Sequence, residues 1–438
     1  MRPNELARYT VILLLLLRPG ALLSQTPGPD TLSLAEVVQR VLENHPAIQG
    51  AGQQLAAARA RVGQRHSAFY PELDFNGHYS RVGPVPSIDL PGQGSFELYP
   101  SNNYNASFEL RQTLLDFGKR STNERLARSG EETAGDDLEL QISRLAYQTV
   151  NDFYSILYLQ GALRVQDDEI AALNRHLAVT RELARTGSAT EFEVLTTQVR
   201  VANASSRRID IANALERAII DLRGLMGSPP NEPIELRGGF ETDSLELDVD
   251  SLTALALAQR PELALARDGE QSAELRRHLA ALDRRPSLDL NLGLGAKNGY
   301  VPNLNEVKGN FVAALSLELP VFNGFRTRSE VEETEAELGA ARAQTRDVIR
   351  RVVTEVQQAA ANVRASRAKL EAAELQVRQA EEAVALARVR YRAGVITNLD
   401  VLDAETSLAE AKLVELEARY HVVTTHYALQ REVGARIW

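Results

Sequence analysis

The sequence predicts an α+β membrane protein in which each chain supplies four strands to a trimeric, 12-stranded transmembrane β-barrel that continues into a long α-helical coiled-coil tunnel. Three observations lead to this fold class. One series of motifs occurs twice along the 438 residues. Each copy has two segments in which apolar and polar residues alternate, the pattern of a β-strand. Each copy also has a proline-free helical stretch that would be roughly 100 Å long.

Composition excludes several classes of function. The chain has no cysteine, which rules out disulfides, thiolate catalysis and cysteine-ligated metals. Its net charge of −10 argues against a nucleic-acid partner. The closest pair of histidines, His421 and His426, does not have the i, i+4 spacing of a zinc-binding helix. Because there is also no nucleophile with a base and no phosphate-binding loop, we expect a protein that is not an enzyme and has no metal or cofactor.

The N-terminus has the pattern of a secretory signal peptide, which we place over residues 1–24. Arg2 and Arg8 precede the apolar run Val11–Leu17, and small residues follow it. This run falls far short of the roughly 20 residues that a membrane-spanning helix requires. No later segment reaches that length, so any insertion into a membrane would use strands.

A tandem duplication divides the rest of the chain into a first repeat over residues 25–225 and a second over residues 251–438. Four motifs of the first repeat recur in the same order: LAEVVQRVLENHPAIQGA as LTALALAQRPELALARD, YPELDF as RPSLDL, DFGKR as FNGFR, and TGSATEFEVL as AGVITNLDVL. Residues 226–250 form a linker between the repeats. The first repeat has the longer Pro/Gly-rich loop, Gly83–Asn103, where an insertion is well tolerated.

Each repeat opens with a helix and continues as a β-hairpin, over residues 69–114 in the first and 286–320 in the second. The strands alternate apolar and polar residues over about ten positions, which is typical of outer-membrane barrel strands. Soluble hairpins with one face on a core would have the same pattern. In a barrel, we expect the polar face to line the lumen with Asp74, Glu109, Arg111, Asp289 and Glu318.

Long helices follow the hairpins, over residues 119–186 and 325–393. In the second helix, large residues recur every seven positions from Ile349 to Tyr391, and mostly small residues such as Ala359 form a second seam. A strict heptad repeat of this kind predicts a left-handed coiled coil of closely spaced helices. A secreted coiled-coil protein without a pore would share this pattern.

Both long helices stop at a glycine and restart three residues later as a returning helix. Gly187 precedes a helix over residues 190–225, and Gly394 precedes a helix over residues 397–436. Because the break is made twice, we interpret it as a designed turn at the far end of the helical tunnel.

The residues after each glycine have the spacing of a capping box, a device that starts helices. Thr190 and Glu193 form one box, and Thr397 and Asp400 form the other, with aspartate in place of glutamate. Capping leaves Asp403 unexplained. We therefore interpret Asp403 as a residue with a functional role at the tip.

Four strands cannot close a barrel, and an open sheet edge is not tolerated in lipid. The chain must therefore assemble if its strands enter a membrane. Two copies would give eight strands, whose interior is filled by side chains, whereas three copies give 12 strands and leave a bore. A homotrimer is the smallest assembly that forms a channel.

At this point the chain resembles the TolC-like outer-membrane efflux proteins. The resemblance rests on the motifs LAEVVQRVLENHP, LLDFGKR, LPVFNGFR and YRAGVITNLDVLDAETSLAEAK, and it covers nearly the whole mature chain. It implies a homotrimer in outer-membrane lipid with a helical tunnel in the periplasm. It also implies a periplasmic adaptor protein and an inner-membrane transporter of the RND, ABC or MFS type as partners. The expected function is the passive exit duct of a tripartite efflux or type I secretion system; the alternative is a secreted coiled-coil structural or adhesive protein.

The resemblance also implies roles for residues at the tip. Asp400 and Asp403 match an aspartate pair that narrows the periplasmic entrance, and three chains would arrange them in rings. Tyr391 matches a tyrosine that links the closed entrance to neighbouring helices, with Glu193 as an acidic acceptor. Ile396 stands where the family has a second linking residue, an arginine, and this departure argues against that link; Arg392 is a neighbouring candidate, although its position does not match.

Overall fold

The chain folds into a four-stranded β-sheet and a layer of helices that extends away from the sheet. The computed structural model describes residues 31–92, 94–242 and 247–437. The signal peptide predicted over residues 1–24 lies outside the described residues. Both halves of the described chain contain two helices, a pair of long strands, a very long helix and a shorter returning helix.

The elements follow the duplication seen in the sequence. The first half comprises β1 (Thr31–Leu32), α1 (Leu34–Asn44), α2 (Pro46–His66), β2 (Glu72–Arg81), β3 (Ser87–Leu90), β4 (Gly94–Glu97), β5 (Asn102–Leu115), α3 (Lys119–Arg185) and α4 (Glu191–Met226). The second half comprises β6 (Glu235–Leu236), α5 (Val249–Gln259), α6 (Pro261–Leu282), β7 (Ser287–Lys297), β8 (Lys308–Glu318), α7 (Arg326–Arg392) and α8 (Asn398–Glu432).

Local sequence signals set the first helices of each half. Ser33 and Glu36 form a capping box that starts α1. Pro46 and Pro261 occupy the first turns of α2 and α6, where the missing amide hydrogen costs nothing. The residue before each proline adopts an extended conformation, so α1 and α5 end there and the chain bends into the next helix.

The long strands form one antiparallel sheet in the order β2-β5-β7-β8, so the two hairpins meet through β5 and β7. Phe75 lies opposite Phe108, and Asp74 lies opposite Glu109. Because side chains alternate along a strand, this register makes one face of the sheet apolar and the other polar. No other described strand pairs with the outer edges of β2 and β8.

The helices α3 and α7 have 67 residues each, a length of roughly 100 Å. Near the sheet, α3 packs against α2 and α6; farther away it packs against α4 and α8. The heptad seams of α7 are buried, with Val356, Val363, Val377 and Val384 inside the helical layer. Among the described residues, no helix combines the length and the apolar character needed to cross a membrane.

Two apolar clusters hold the middle of the helical layer together. The larger one joins α1, α3, α4 and α8 through Phe153, Ile156, Leu222 and Met226 among others. The second joins α5, α6, α7 and α8 through residues that include Leu263, Val352, Val356 and Leu429. Since α8 contributes to both clusters, it connects the two halves.

Two segments carry structure that the sequence pattern does not signal. The linker over residues 226–250 contains β6, which pairs in parallel with β1 and places Phe240 against the ring of Tyr154. In the long loop of the first half, β3 and β4 form a small hairpin in which Ile88 faces Phe96. The linker is therefore partly a packed element rather than a simple connection.

Candidate functional site at the helical tip

The far end of the helical layer, called the tip below, consists of the last turns of α3 and α7 and the first turns of α4 and α8. Gly187 and Gly394 lie in the left-handed region, with φ of 80° and 73°. The amide of Ser188 donates to the carbonyl of Leu183 at 2.8 Å, and that of Val395 donates to Arg390 at 3.0 Å. These bonds satisfy the last carbonyls of α3 and α7, so each helix ends cleanly and the chain can reverse.

Both capping boxes are present. The backbone amide of Thr190 donates to Glu193 at 2.7 Å, and that of Thr397 donates to Asp400 at 2.7 Å. Hydrogen bonds from the hydroxyl and the amide of Thr397 hold the pKa of Asp400 below its usual value. Asp400 is thus held ionised through Oδ2, while its Oδ1 makes no hydrogen bond to the described residues.

Asp403 has a partner that the sequence pattern did not reveal. Arg200 of α4 donates to Oδ1 of Asp403 at 2.9 Å, and both side chains remain partly exposed. Asp403 therefore also has a structural role, because the acid ties α8 to α4. Only one carboxylate of the aspartate pair, that of Asp400, lacks a cationic partner within the described chain.

A buried polar network lies beneath the aspartates and joins the two halves. Asn398, the first residue of α8, accepts through Oδ1 from Nε2 of His176 at 2.6 Å. Its amide nitrogen donates to the hydroxyl of Thr197 at 3.3 Å and to the carbonyl of Glu193 at 3.4 Å. The hydroxyl of Thr180 lies 3.5 Å from the same Oδ1. One side chain of the second half is thus bonded to both helices of the first.

Tyr391 packs inside the tip rather than on its surface. Its ring lies 5.1 Å from the ring of His176, and Ala387 and Val401 surround it. Burial raises the pKa of Tyr391. Within the described chain no hydrogen bond joins Tyr391 to Glu193, whose Oε2 atom accepts from the amide and the hydroxyl of Thr190.

Ile396, which stands at the position of the family's linking arginine, packs against the apolar cluster of Ala387, Tyr391 and Val401. Beside this cluster, Glu405 is almost fully buried and receives two hydrogen bonds from Arg388, at 2.5 and 2.9 Å. A cavity of about 110 Å³ opens next to the pair. Apolar packing and a buried ion pair therefore occupy the region around Ile396.

The predicted lumen residues lie far from the tip, on the sheet. Its register places them on one face: Asp74, Glu109, Arg111, Asp289 and Glu318. Arg111 is paired with Asp74 at 2.5 Å, and Asp289 accepts from Thr113 at 2.7 Å. Asp74, Arg111 and Asp289 thus have partners along the sheet. Within the described ranges, no group of three or more metal-ligating side chains could hold a metal ion.

Comparisons with known proteins agree with this architecture. Residues 37–228 and 252–435 match the family described as outer membrane efflux protein, once in each half. Outer membrane protein TolC of Salmonella enteritidis is 24% identical over 423 residues, covering 93% of this chain and 84% of the relative. Alkaline protease secretion protein AprF of Pseudomonas aeruginosa is 24% identical over 412 residues, covering 92% of this chain and 84% of the relative.

The crystal structure of outer membrane protein VceC from Vibrio cholerae has the same fold, with a TM-score of 0.79 at 19% identity, covering 92% of this chain and 97% of that one. The α+β channel fold, the outer-membrane location and the absence of an enzymatic role predicted from the sequence are confirmed. Because the family match covers both halves and most of the chain, the protein belongs to the outer membrane efflux protein family, a family of passive outer-membrane channels.

Proposed function

We propose that three copies of the chain form the exit duct of a tripartite efflux or type I secretion system. The observation that carries this proposal is the open four-stranded sheet. Its edges, β2 and β8, are unpaired within the described chain, and its apolar face is exposed. An open edge in lipid leaves backbone groups without partners, so the sheet needs neighbours on both sides. Three copies supply them and close a 12-stranded barrel.

The apolar face of the sheet is suited to outer-membrane lipid. Its large side chains are exposed in a single chain, among them Leu73, Phe75, Phe108, Leu294, Phe311 and Leu315. A soluble protein rarely exposes so much contiguous apolar surface. In the barrel this face would meet lipid, whereas the polar face with Asp74, Glu109 and Arg111 would line the lumen.

The helical layer offers matching surfaces for the same assembly. Neighbouring helices in the layer run α4, α3, α8, α7, so α4 and α7 lie at its two borders. Phe192, Leu195 and Val199 share one face of α4 and are 75%, 54% and 58% exposed; on α7, Leu386 and Val389 are 51% and 64% exposed. Different surfaces on the two borders make a head-to-tail contact, which forms a ring when the rotation closes.

The tip would be the periplasmic entrance. Three copies would bring three Asp400 and three Asp403 carboxylates around one axis, where a ring of negative charge favours cations and makes entry sensitive to multivalent ones. Arg200 reduces this charge at Asp403, so Asp400 would carry more of the effect. Tyr391 and Glu193 would take part through the packing and capping of the same turns.

The partners of such a duct would be a periplasmic adaptor protein and an inner-membrane transporter of the RND, ABC or MFS type. The relative AprF is named as an alkaline protease secretion protein, which supports export through a tunnel of this fold. The duct itself would pass its substrate without chemistry.

A planar-bilayer experiment tests the duct and its entrance together. Protein extracted from outer membranes should run as three copies in native mass spectrometry and should form channels in bilayers. A secreted coiled-coil protein would give neither result. The double variant Asp400→Ala/Asp403→Ala should raise the conductance and weaken block by a divalent cation, because the negative constriction is lost.

Glu371→Ala provides the matched control, since Glu371 is an exposed acid of α7 outside the tip. This variant should conduct like the parent protein. If the double variant also conducts and is blocked like the parent, the two aspartates do not form the constriction.

A further inference from the structure

His176 is a buried histidine at the centre of the tip. It is 8% exposed and donates from Nε2 to Asn398 at 2.6 Å. The direction follows because the Asn398 atom that it meets is the carbonyl oxygen, which can only accept. The other ring nitrogen, Nδ1, makes no hydrogen bond within the described part of the chain. The neutral ring therefore satisfies the contact that joins α3 to α8.

Charged and titratable groups from three helices surround the cavity beside His176. From its own helix, Arg175 lines the cavity beside the ring; from α7, the cavity is lined by Arg388, Tyr391 and Arg392. From α8 comes Glu405, whose carboxylate already receives both hydrogen bonds of Arg388.

The α4 side of the ring contributes one acid. Glu193, the acidic group of α4 that acts on His176, has its carboxylate bonded to the Thr190 cap. The charges of Glu405 and Glu193 favour an imidazolium and that of Arg388 disfavours it, but burial of the ring has the largest effect on its pKa. A charge buried in this way is costly, so the neutral ring is favoured.

Burial accordingly lowers the pKa of His176 in the closed tip. Once the tip loosens and water reaches the ring, the pKa returns towards the ordinary value of about 6.5. The loosened tip then binds the proton more tightly than the closed tip. The closed tip is therefore fully favoured above that ordinary pKa and loses stability as the pH falls below it.

We propose that His176 is a proton-operated latch: the neutral ring holds α8 against α3, whereas the imidazolium, whose Nδ1 proton has no acceptor among the described residues, destabilises this buried contact and loosens the start of α8. The cavity of about 110 Å³ beside the ring is large enough for water and gives the proton a route. Asn398 lies two residues before Asp400 and begins the same helix. Movement of Asn398 would therefore move the aspartates. The proposal rests on the entrance role given above to the tip.

Hydrogen exchange of the assembled full-length protein measures this latch directly. Amides of residues 176–200 and 388–405 are followed by mass spectrometry at about pH 7.5 and about pH 5.5, on either side of the ordinary histidine pKa, and corrected for the intrinsic chemical rate. In the parent protein, exchange at the tip should be several-fold faster at the lower pH. Peptides from the middle of α3 should not respond.

Three variants assign the response to the latch. In His176→Gln, the amide can still donate to Asn398 but cannot be charged, so the tip should stay slow at both pH values. In His176→Lys, a fixed charge should make the tip exchange fast at both. His421→Gln removes a half-exposed histidine that lies beside Glu417, away from the tip, and should keep the response of the parent.

An equal acceleration in the parent and in His176→Gln would overturn the proposal, as would a parent protein whose tip exchange does not change with pH. If His176→Gln does not assemble, Asn398→Ala replaces it: loss of the acceptor should give fast exchange already at the higher pH. Exchange and conductance separate the two ideas. Suppose that tip exchange depends on pH through His176, but that conductance does not change when Asp400 and Asp403 are replaced. The latch would then be supported, and the entrance role of the two aspartates would be rejected.

Discussion

The tips of the two repeats share their turns but not their contacts. Each long helix ends in a left-handed glycine, and each returning helix starts from a threonine capping box. By contrast, the first repeat has Ala184 and Thr196 at the places of Tyr391 and Asp403. The place that corresponds to His176 is taken by Ala383 in the second repeat. Duplication has kept the residues that bend the chain, whereas the residues that join the two halves occur once.

This difference has a simple physical origin. A turn is a local structure, so each repeat needs its own copy of the residues that make it. A contact between two repeats needs one side chain from each, and the two sides play different parts. His176 donates from the first repeat, for example, and Asn398 accepts from the second. The unpaired residues of a duplicated chain therefore point to its internal interfaces and to any role that the turns do not explain.

The largest effects are expected at two buried ion pairs, one in the helix pair of each repeat, and they test whether the two tips are alike. Glu169 is paired with Arg207 in the first half, and Glu405 with Arg388 in the second; the glutamate side chains are 2% and 3% exposed. Arg207→Leu and Arg388→Leu each leave a buried carboxylate without its partner, which should cost about 3 kcal/mol in the local opening free energy. Hydrogen exchange near each pair measures the loss.

Arg419→Leu is the matched control, because Arg419 binds the more exposed acids Glu374 and Glu415. Its removal should cost at most about 1 kcal/mol. If Arg388→Leu costs no more than Arg419→Leu, the second-half pair is not buried in the assembled protein. If only one of the two buried pairs matters, the helix pairs are less alike than their backbones suggest.

Loss of the contact between the two halves should have a smaller effect on stability, and the first repeat supplies a corresponding residue for comparison. Asn398→Leu removes the acceptor of His176, which leaves its Nε2–H buried without a partner and should cost about 1–3 kcal/mol at the tip; Thr197 keeps its bond to the carbonyl of Glu193. The corresponding residue of the first repeat, Glu191, is exposed in the first turn of α4. Glu191→Leu should change the local opening free energy by no more than a few tenths of a kcal/mol. Equal losses in the two variants would contradict a special role for Asn398.

The features of this molecule that could be predicted from its sequence are those that local sequence signals specify. Glycine at a left-handed position, a threonine three residues before an acid, and alternating apolar residues each specify their own backbone. The helix ends at Gly187 and Gly394 and the four strands could be placed on that basis. The fold class followed because four open strands and two very long helices leave few ways to close a structure.

Contacts between distant segments could not be predicted in the same way. His176 and Asn398 are 222 residues apart, and Arg200 and Asp403 are 203 apart. No spacing in the sequence connects such pairs, because the contact depends on how the two halves pack. Asp403 illustrates the consequence: its lack of a capping role was visible in the sequence, but its partner was not. The pairing of β1 with β6 was missed for the same reason.

Variants of Arg200 and Asp403 should have the smallest effect on stability but a clear effect on block of the channel by cations. The pair is partly exposed, so Arg200→Ala should cost at most about 1 kcal/mol. The same change frees the Asp403 carboxylate, so block of the channel by a divalent cation should become stronger, whereas Asp403→Asn should weaken it. Ser407, the counterpart of Arg200 in the second repeat, supplies the control variant Ser407→Ala, which should leave block unchanged. Stronger block in Arg200→Ala would show that Asp403 faces the permeating ions. Unchanged block in both Arg200→Ala and Asp403→Asn would show that the pair only joins α4 to α8. In that case Asp400 alone would supply the negative charge of the second repeat at the entrance.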